Sequence, residues 1–259
     1  MPADELTPHP PSCAILDLLR HGRVEVIGRM PWGSNATLLA GVHAPGKPAG
    51  RDGDRDGGTE SDPLMHAVYK PRRGERPLWD FPSGLDRREV AAYELSEALG
   101  WGIVPETVLR DDLPLGIGSL QRFVPFATDE HYFTLYEDIA HHDLLRTICC
   151  FDLLSNQTDR KSGHCLLGDD GRIWAIDNAL GFHSESKLRT VIWEFGGEPI
   201  PARLQDDVRM LVETGLPAAL CSLLDDDEQD ALLRRARAVA EVGIFPIDGT
   251  GRRYPWPLV

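Results

Sequence analysis

Lysine is scarce in this 259-residue chain. Only Lys47, Lys70, Lys161 and Lys187 occur among 27 basic residues, and the rest are arginine. Where arginine is the default cation, each lysine is informative, because a flexible ammonium and a planar guanidinium do different work. Basic charge as a whole is also short. Against 41 acidic residues it leaves a formal net charge of −14, with no basic stripe along the chain. Phosphate backbones need clustered Lys and Arg, so no nucleic acid is expected as the main partner. The same balance disfavours docking on an anionic membrane. No apolar run reaches the length of a bilayer span, so no stable membrane insertion is expected. The opening M-P-A-D-E-L-T-P-H-P-P is acidic and proline-rich, unlike a signal peptide. The five cysteines (Cys13, Cys149, Cys150, Cys165 and Cys221) are odd in number and show no C-x-x-C spacing. That argues against a disulfide framework or zinc site and fits a reduced, cytoplasmic setting.

What is present supports an ordinary globular core. Hydrophobic residues make up 42% of a chain long enough for one large domain or two small lobes around a cleft. Residues 1–23 read as a tail followed by a short amphipathic helix over 13–20. Alternation predicts strands over 24–29, 36–42 and 65–70. Residues 43–63 are dense in Gly, Pro, Asp and Arg and form a surface insertion, because they bury too little apolar surface to order themselves. The clearest helix runs over 86–99, with Asp86 as its cap and Glu89 at the capping-box position. Residues 103–110 and 116–123 read as two more strands. Helical spacing predicts helices over 141–154, 186–195, 204–213 and 226–242. The acidic run D-D-D-E-Q-D suits the start of the last one, where the helix dipole favours negative charge.

The chemistry concentrates in residues 155–182, S-N-Q-T-D-R-K-S-G-H-C-L-L-G-D-D-G-R-I-W-A-I-D-N-A-L-G-F. Gly168-Asp169-Asp170-Gly171 between two short apolar runs is a hairpin signal. A hairpin brings its ends together, so Asp159, His164 and Asp177 are expected to converge. Phosphoryl transfer needs that convergence: one Asp takes or orients the proton of the attacking hydroxyl, and a second holds divalent metal on the phosphates with a partner five residues after the first. Here the partner position holds His164 where Asn is usual. A solvated loop followed by a plain turn is the other reading of the same residues.

Upstream, Lys70 ends the third strand, where a kinase places the lysine that grips ATP phosphates. Glu89 either serves its helix cap or pairs with that lysine. Two strands around Gly33-Ser34-Asn35 can lay backbone N–H groups over phosphates, although a plain hairpin turn explains them equally well. The loop P-R-R-G-E-R-P-L-W-D-F-P carries three arginines and is a candidate substrate-contacting loop or a packed Trp79/Phe81 lid.

Together, Lys70, Glu89, Q-R-F-V, D-R-K-S-G-H and A-I-D-N-A-L-G-F resemble the phosphatidylinositol 3-/4-kinase-like superfamily. The likeness is nearest to type II phosphatidylinositol 4-kinases and HipA-like protein kinases, in which T-D-R opens the catalytic loop and A-I-D-N ends the hairpin. M-P-W-G-S-N-A-T, Y-K-P and P-L-W-D-F-P look like a bacterial branch of it. The resemblance spans residues 24–182. It implies a two-lobed, protein-kinase-like α+β fold: a small antiparallel sheet with one helix over 24–124, carrying the 43–63 insertion, and a mainly helical lobe over 125–259. It implies ATP and Mg or Mn as cofactors. Lys70 would bind phosphates with Glu89 orienting it, Ser34 and Asn35 would cover them, and Gln121, Phe123 and Val124 would frame adenine. Asp159 would be catalytic, with Arg160 and Lys161 nearby for charge, and His164 and Asp177 would take metal. The expected activity is transfer of the ATP γ-phosphoryl group to a hydroxyl of a protein or small soluble acceptor. A nucleotide-binding pseudokinase and an AMP-transferring enzyme are the alternatives. A lipid acceptor fits less well, since the chain lacks a basic face and a Cys-rich acylation run.

Overall fold

The computed structural model describes residues 12–30, 36–46 and 62–258. In chain order the elements are α1 (Ser12–His21), β1 (Arg23–Arg29), β2 (Leu38–His43), β3 (Met65–Pro71), α2 (Leu85–Ala98), β4 (Thr107–Arg110), β5 (Gly118–Arg122), α3 (Tyr132–Tyr136), α4 (His142–Ser155), β6 (Cys165–Leu167), β7 (Ile173–Ala175), α5 (Ala202–Thr214), α6 (Ala218–Cys221) and α7 (Asp226–Val242). Five strands form one sheet of order β1-β2-β3-β5-β4, and β6 and β7 form a separate hairpin. Every neighbouring pair is antiparallel. This is the expected α+β class. The chain divides into two compact units. One holds the described residues up to Gly74 together with Glu106–Phe123, and the other holds Glu75–Pro105 together with the described residues from Val124 onward.

In the first unit the period of two along β3 sorts its side chains. Ala67, Tyr69 and Pro71 are buried, while Val68 and Lys70 are half-buried on the alternate positions. The core joins Ile15 and Leu19 of α1 to Leu38, Ala40, Val42, Ala67, Tyr69, Val108 and Leu120 of the sheet. Each buried Ile, Leu or Val side chain there contributes about 1.5–3 kcal/mol by leaving water. Gly118 is required where β5 meets the end of β3: a Cβ there would lie 2.4 Å from the Lys70 carbonyl oxygen. The close approach places Lys70 opposite Ser119 in register.

In the second unit, the helices begin with different caps. At α7 the Asp225 carboxylate accepts the Glu228 N–H at 2.8 Å and Glu228 accepts the Asp225 N–H at 3.0 Å, a capping box written in adjacent residues. At α2 the expectation fails. The N-cap is Gly84, in the left-handed region with φ 93°, and Asp86 lies inside the helix. The capping carboxylate comes from Glu75, which accepts N–H bonds from Gly84 at 3.3 Å and Asp86 at 3.0 Å. Glu228 then accepts from Arg88 as well, in a buried ion pair that ties α7 to α2.

A second correction concerns 186–195, which contains no helix. Those residues run extended: the Arg160 N–H donates to Arg189 O at 3.2 Å, and the Val191 N–H donates to Arg160 O at 3.0 Å. Their apolar spacing reflects burial of Val191, Ile192 and Phe195 on one irregular segment. In the loop before α2, Phe81 is buried while Trp79 is 96% exposed, so the two do not form a packed lid.

Candidate active site

The segment after α4 is built to hold Asp159 in place. Asn156 closes the helix in the left-handed conformation, φ 55° and ψ 47°. Its side-chain amide donates to the carbonyls of His183 at 2.9 Å and Glu185 at 2.6 Å, and its carbonyl accepts the Lys187 N–H at 3.0 Å. Gln157, also buried, uses its side-chain oxygen to accept the N–H groups of Thr158 at 2.9 Å and Asp159 at 3.2 Å. Its amide nitrogen donates to the Asp177 carbonyl at 3.4 Å. The main chains of the two acidic residues are thereby held by one side chain.

Below them lies a fully buried ion pair. Arg160 donates from Nε to Asp152 at 3.1 Å and from Nη2 to the same carboxylate at 2.9 Å. It also donates to the Ile176 carbonyl at 2.7 Å and to the Asn178 side-chain oxygen at 2.6 Å. The Thr190 hydroxyl donates to the other Asp152 oxygen at 3.0 Å. The Asn178 N–H donates to Glu89 at 3.2 Å, which links α2 to the strand end bearing Asp177. Arg160 is thus spent inside the unit, and its guanidinium faces no solvent.

The hairpin forms as the sequence implies. Cys165 pairs with Ala175, Leu166 with Trp174 and Leu167 with Ile173. The turn is closed by the Gly171 N–H donating to Gly168 O at 2.8 Å, with Gly171 at φ 73°. Asp177, one residue beyond Ile176, itself has φ 55°. A non-glycine residue held there costs free energy that the Arg160 contacts to its neighbours and the Gln157 bond to its own carbonyl must offset. Its side chain is 48% exposed.

His164 spans the two acidic positions. Its Nδ1 lies 3.0 Å from the Asp159 carbonyl, and its Nε2 lies 3.4 Å from the Asp177 carboxylate. The Lys161 N–H also points at Nδ1, at 3.3 Å. One nitrogen cannot donate and accept at once, so the tautomer decides which of the two contacts is a hydrogen bond. In the neutral tautomer with Nδ1 protonated, the Nε2 lone pair faces Asp177. Lys161 Nζ lies 3.3 Å from the Asp159 carboxylate. Burial pushes the Asp159 carboxyl above the usual aspartate range. The Lys161 ammonium pulls it down, and the nearby Asp177 charge pushes it up again.

A kinase-like site implies a divalent metal, and the donors fit one in part. Two ligands of a single metal sit about 3–3.5 Å apart when each bond is about 2.1 Å, and the Nε2–carboxylate separation of 3.4 Å matches. Among the described residues no cluster of three or more His, Cys, Asp or Glu is placed to hold a metal. Were a nucleotide-bound metal held here, these two side chains would be its protein ligands among the described residues, and phosphate oxygens and water would fill the other positions.

Of the other sequence-derived positions, Ser34 and Asn35 lie outside the described residues. Lys70, Gln121 and Phe123 belong to the first unit and Glu89 and Val124 to the second. The Gln121 side chain donates to the Thr107 hydroxyl at 2.8 Å and is buried in the sheet. Val124 packs on Leu166 and Trp174. Sequence reasoning missed Asp152, Asn156, Gln157 and Asn178. The available signal was an acidic residue inside the apolar helical run I-C-C-F-D-L-L.

No family model matches the chain. It is 34% identical over 281 aligned positions, 93% of this chain and 94% of the relative, to Protein Rv2133c of Mycobacterium tuberculosis. Among solved structures, the Golgi casein kinase with Mn/ADP bound aligns at TM-score 0.55 and 13% identity, over 96% of this chain and 80% of that one. The hydra Fam20 structure with sugar aligns at TM-score 0.56 and 14% identity, over 93% and 91%. The fold is therefore protein-kinase-like. No helix of the described residues is long and apolar enough to cross a membrane.

Proposed function

The chain belongs to the family of Protein Rv2133c of Mycobacterium tuberculosis, and we propose that it is an ATP-dependent phosphotransferase within the phosphatidylinositol 3-/4-kinase-like superfamily, acting on a hydroxyl of a protein or small soluble acceptor. The observation that carries this reading is the span of His164 between the main chain of Asp159 and the carboxylate of Asp177. On this reading Asp159 is the base, and His164 and Asp177 beside it are the donors to a metal.

In the proposed reaction Asp159 takes the acceptor hydroxyl proton as the oxygen bonds to the γ-phosphorus. The bond from that phosphorus to the β,γ-bridging oxygen breaks, and its electron pair leaves with ADP. A carboxyl raised by burial holds a proton better than an ordinary aspartate, which suits it to the base role. His164 and Asp177 would hold the divalent metal, which when bound neutralises charge on the phosphates. Lys70 is the proposed phosphate ligand from β3. Lys161, 3.3 Å from the Asp159 carboxylate, would set its charge state. Arg160, buried against Asp152, positions the loop instead of touching substrate.

Imidazole suits Mn better than Mg, which prefers an all-oxygen shell. The solved Golgi casein kinase carries Mn and ADP, and we propose Mn²⁺ as the preferred ion here.

The test is incubation with γ- and α-labelled ATP. Label from the γ position on an acceptor supports the kinase reading. Label from the α position shows AMP transfer instead, and nucleotide binding without transfer of either label shows a pseudokinase.

A further inference from the structure

A cavity of about 200 Å³ opens beside Asp159, entirely within the second unit. Its apolar walls are Leu78, Phe81 and Leu180, and its polar rim includes Asp159, Lys187 and Arg189. The volume is about seven waters' share of liquid, well below that of a drug-sized pocket. It suits a compound of modest size.

The two cations of the rim are not equivalent. Lys187 Nζ donates to the Asp80 carbonyl at 2.7 Å and lies 3.7 Å from the Asp80 carboxylate, so its charge is already answered. The Arg189 side chain makes no hydrogen bond or ion pair among the described residues. Its backbone, by contrast, is fixed on both sides. The Arg189 N–H donates to Gln157 O at 2.9 Å, and its carbonyl accepts the Arg160 N–H at 3.2 Å. Those partners flank Asp159 in sequence, so the guanidinium starts from a backbone tied to the proposed base. A guanidinium recognises planar or tetrahedral oxyanions through paired N–H donors. Arg189 is exposed, so its guanidinium is accessible to a ligand on the rim of this partly apolar cavity.

We propose that this cavity seats the acceptor, and that the acceptor is a small hydroxy compound carrying a carboxylate or phosphate. Its anionic group pairs with Arg189, its carbon skeleton lies on Leu78, Phe81 and Leu180, and its hydroxyl faces Asp159. The proposal rests on the phosphotransferase reading and names its substrate class. The transfer itself is the step already given: the acceptor oxygen bonds to the γ-phosphorus of ATP, ADP leaves, and the proton goes to Asp159.

The experiment measures binding by calorimetry on the full chain, with three anionic probes and their uncharged counterparts: glycerate and glycerol 3-phosphate against glycerol, and 3-phenyllactate against 3-phenylpropane-1,2-diol. ATP binding and hydrolysis by the same preparation are read in parallel. At least one anionic probe should bind about tenfold tighter than its neutral partner, the scale of one charge-assisted interaction. Arg189→Gln should erase that difference and Arg189→Lys should keep part of it, with thermal unfolding confirming that both variants are folded. Equal binding of charged and neutral probes, or a preference that survives Arg189→Gln, overturns the assignment even if ATP is hydrolysed. Transfer of label to extract proteins alone, with none of the small acids bound, overturns it too. Loss of ATP binding with the anion preference intact would instead sink the kinase reading and leave the anion site standing.

Discussion

Asp152 and Arg160 meet where neither side chain is more than 1% exposed, through Nε at 3.1 Å and Nη2 at 2.9 Å to one carboxylate oxygen. The pair fastens the middle of α4 to the loop that carries Asp159. It also reaches, through Asn178 and the Ile176 carbonyl, both neighbours of Asp177. The two proposed acidic groups are thus held by a common buried charge pair that touches neither of their carboxylates.

Removing one member of that pair should be costly, because the other is left as an uncompensated buried charge. Asp152→Ala is expected to lose about 3–5 kcal/mol of stability. Urea unfolding of wild type and variant measures it. A loss below 1 kcal/mol would show that the pair is not holding the loop.

The two proposed catalytic carboxylates should separate by phenotype. Asp159→Asn is expected to bind nucleotide normally while losing about 10²–10⁴-fold in transfer rate, the range of a general base. Asp177→Asn is expected to lose metal-dependent nucleotide binding. Titration with a fluorescent ATP analogue, with and without Mn²⁺, distinguishes them. Full transfer by the Asp159 variant refutes its assignment.

The pH dependence follows from the direction of the Asp159 shift. Burial raises its pKa, so the rate of transfer should climb with pH through a limb above the usual aspartate value of about 3.9. Lys161 acts in the lowering direction. Lys161→Gln should therefore move the acid limb to higher pH. A downward move in a kcat/KM profile contradicts this arrangement.

Metal choice is the fourth test. With Nε2 of His164 beside Asp177, turnover is expected to be faster in Mn²⁺ than in Mg²⁺, and His164→Asn should narrow or reverse the ratio. Identical ratios in both proteins remove His164 from the metal.

The hairpin and the alternating strands were legible because each depends on residues adjacent in sequence. Gly168 to Gly171 turn the chain, and the period of two along β3 places Lys70 opposite the buried Tyr69 and Pro71 positions. The cap of α2 was not legible, since Glu75 arrives from outside the helix and Asp86 mimics the local signal. The helix expected over 186–195 failed for a related reason. Its apolar spacing is real, yet those residues find their hydrogen-bond partners in the loop around Arg160.

What the order of amino acids determined by itself is the set of locally encoded parts: the strands, the main helices, the turn, and the T-D-R and A-I-D-N segments with His164 between them. Only the tertiary structure decided how the interior acids and amides are used. Asp152 finds Arg160, Asn156 finds the carbonyls of His183 and Glu185, and Gln157 clasps the Asp159 loop and the segment after β7 at once. Such pairings join separate stretches of chain and form because a buried polar group without a partner costs more than the order needed to supply one.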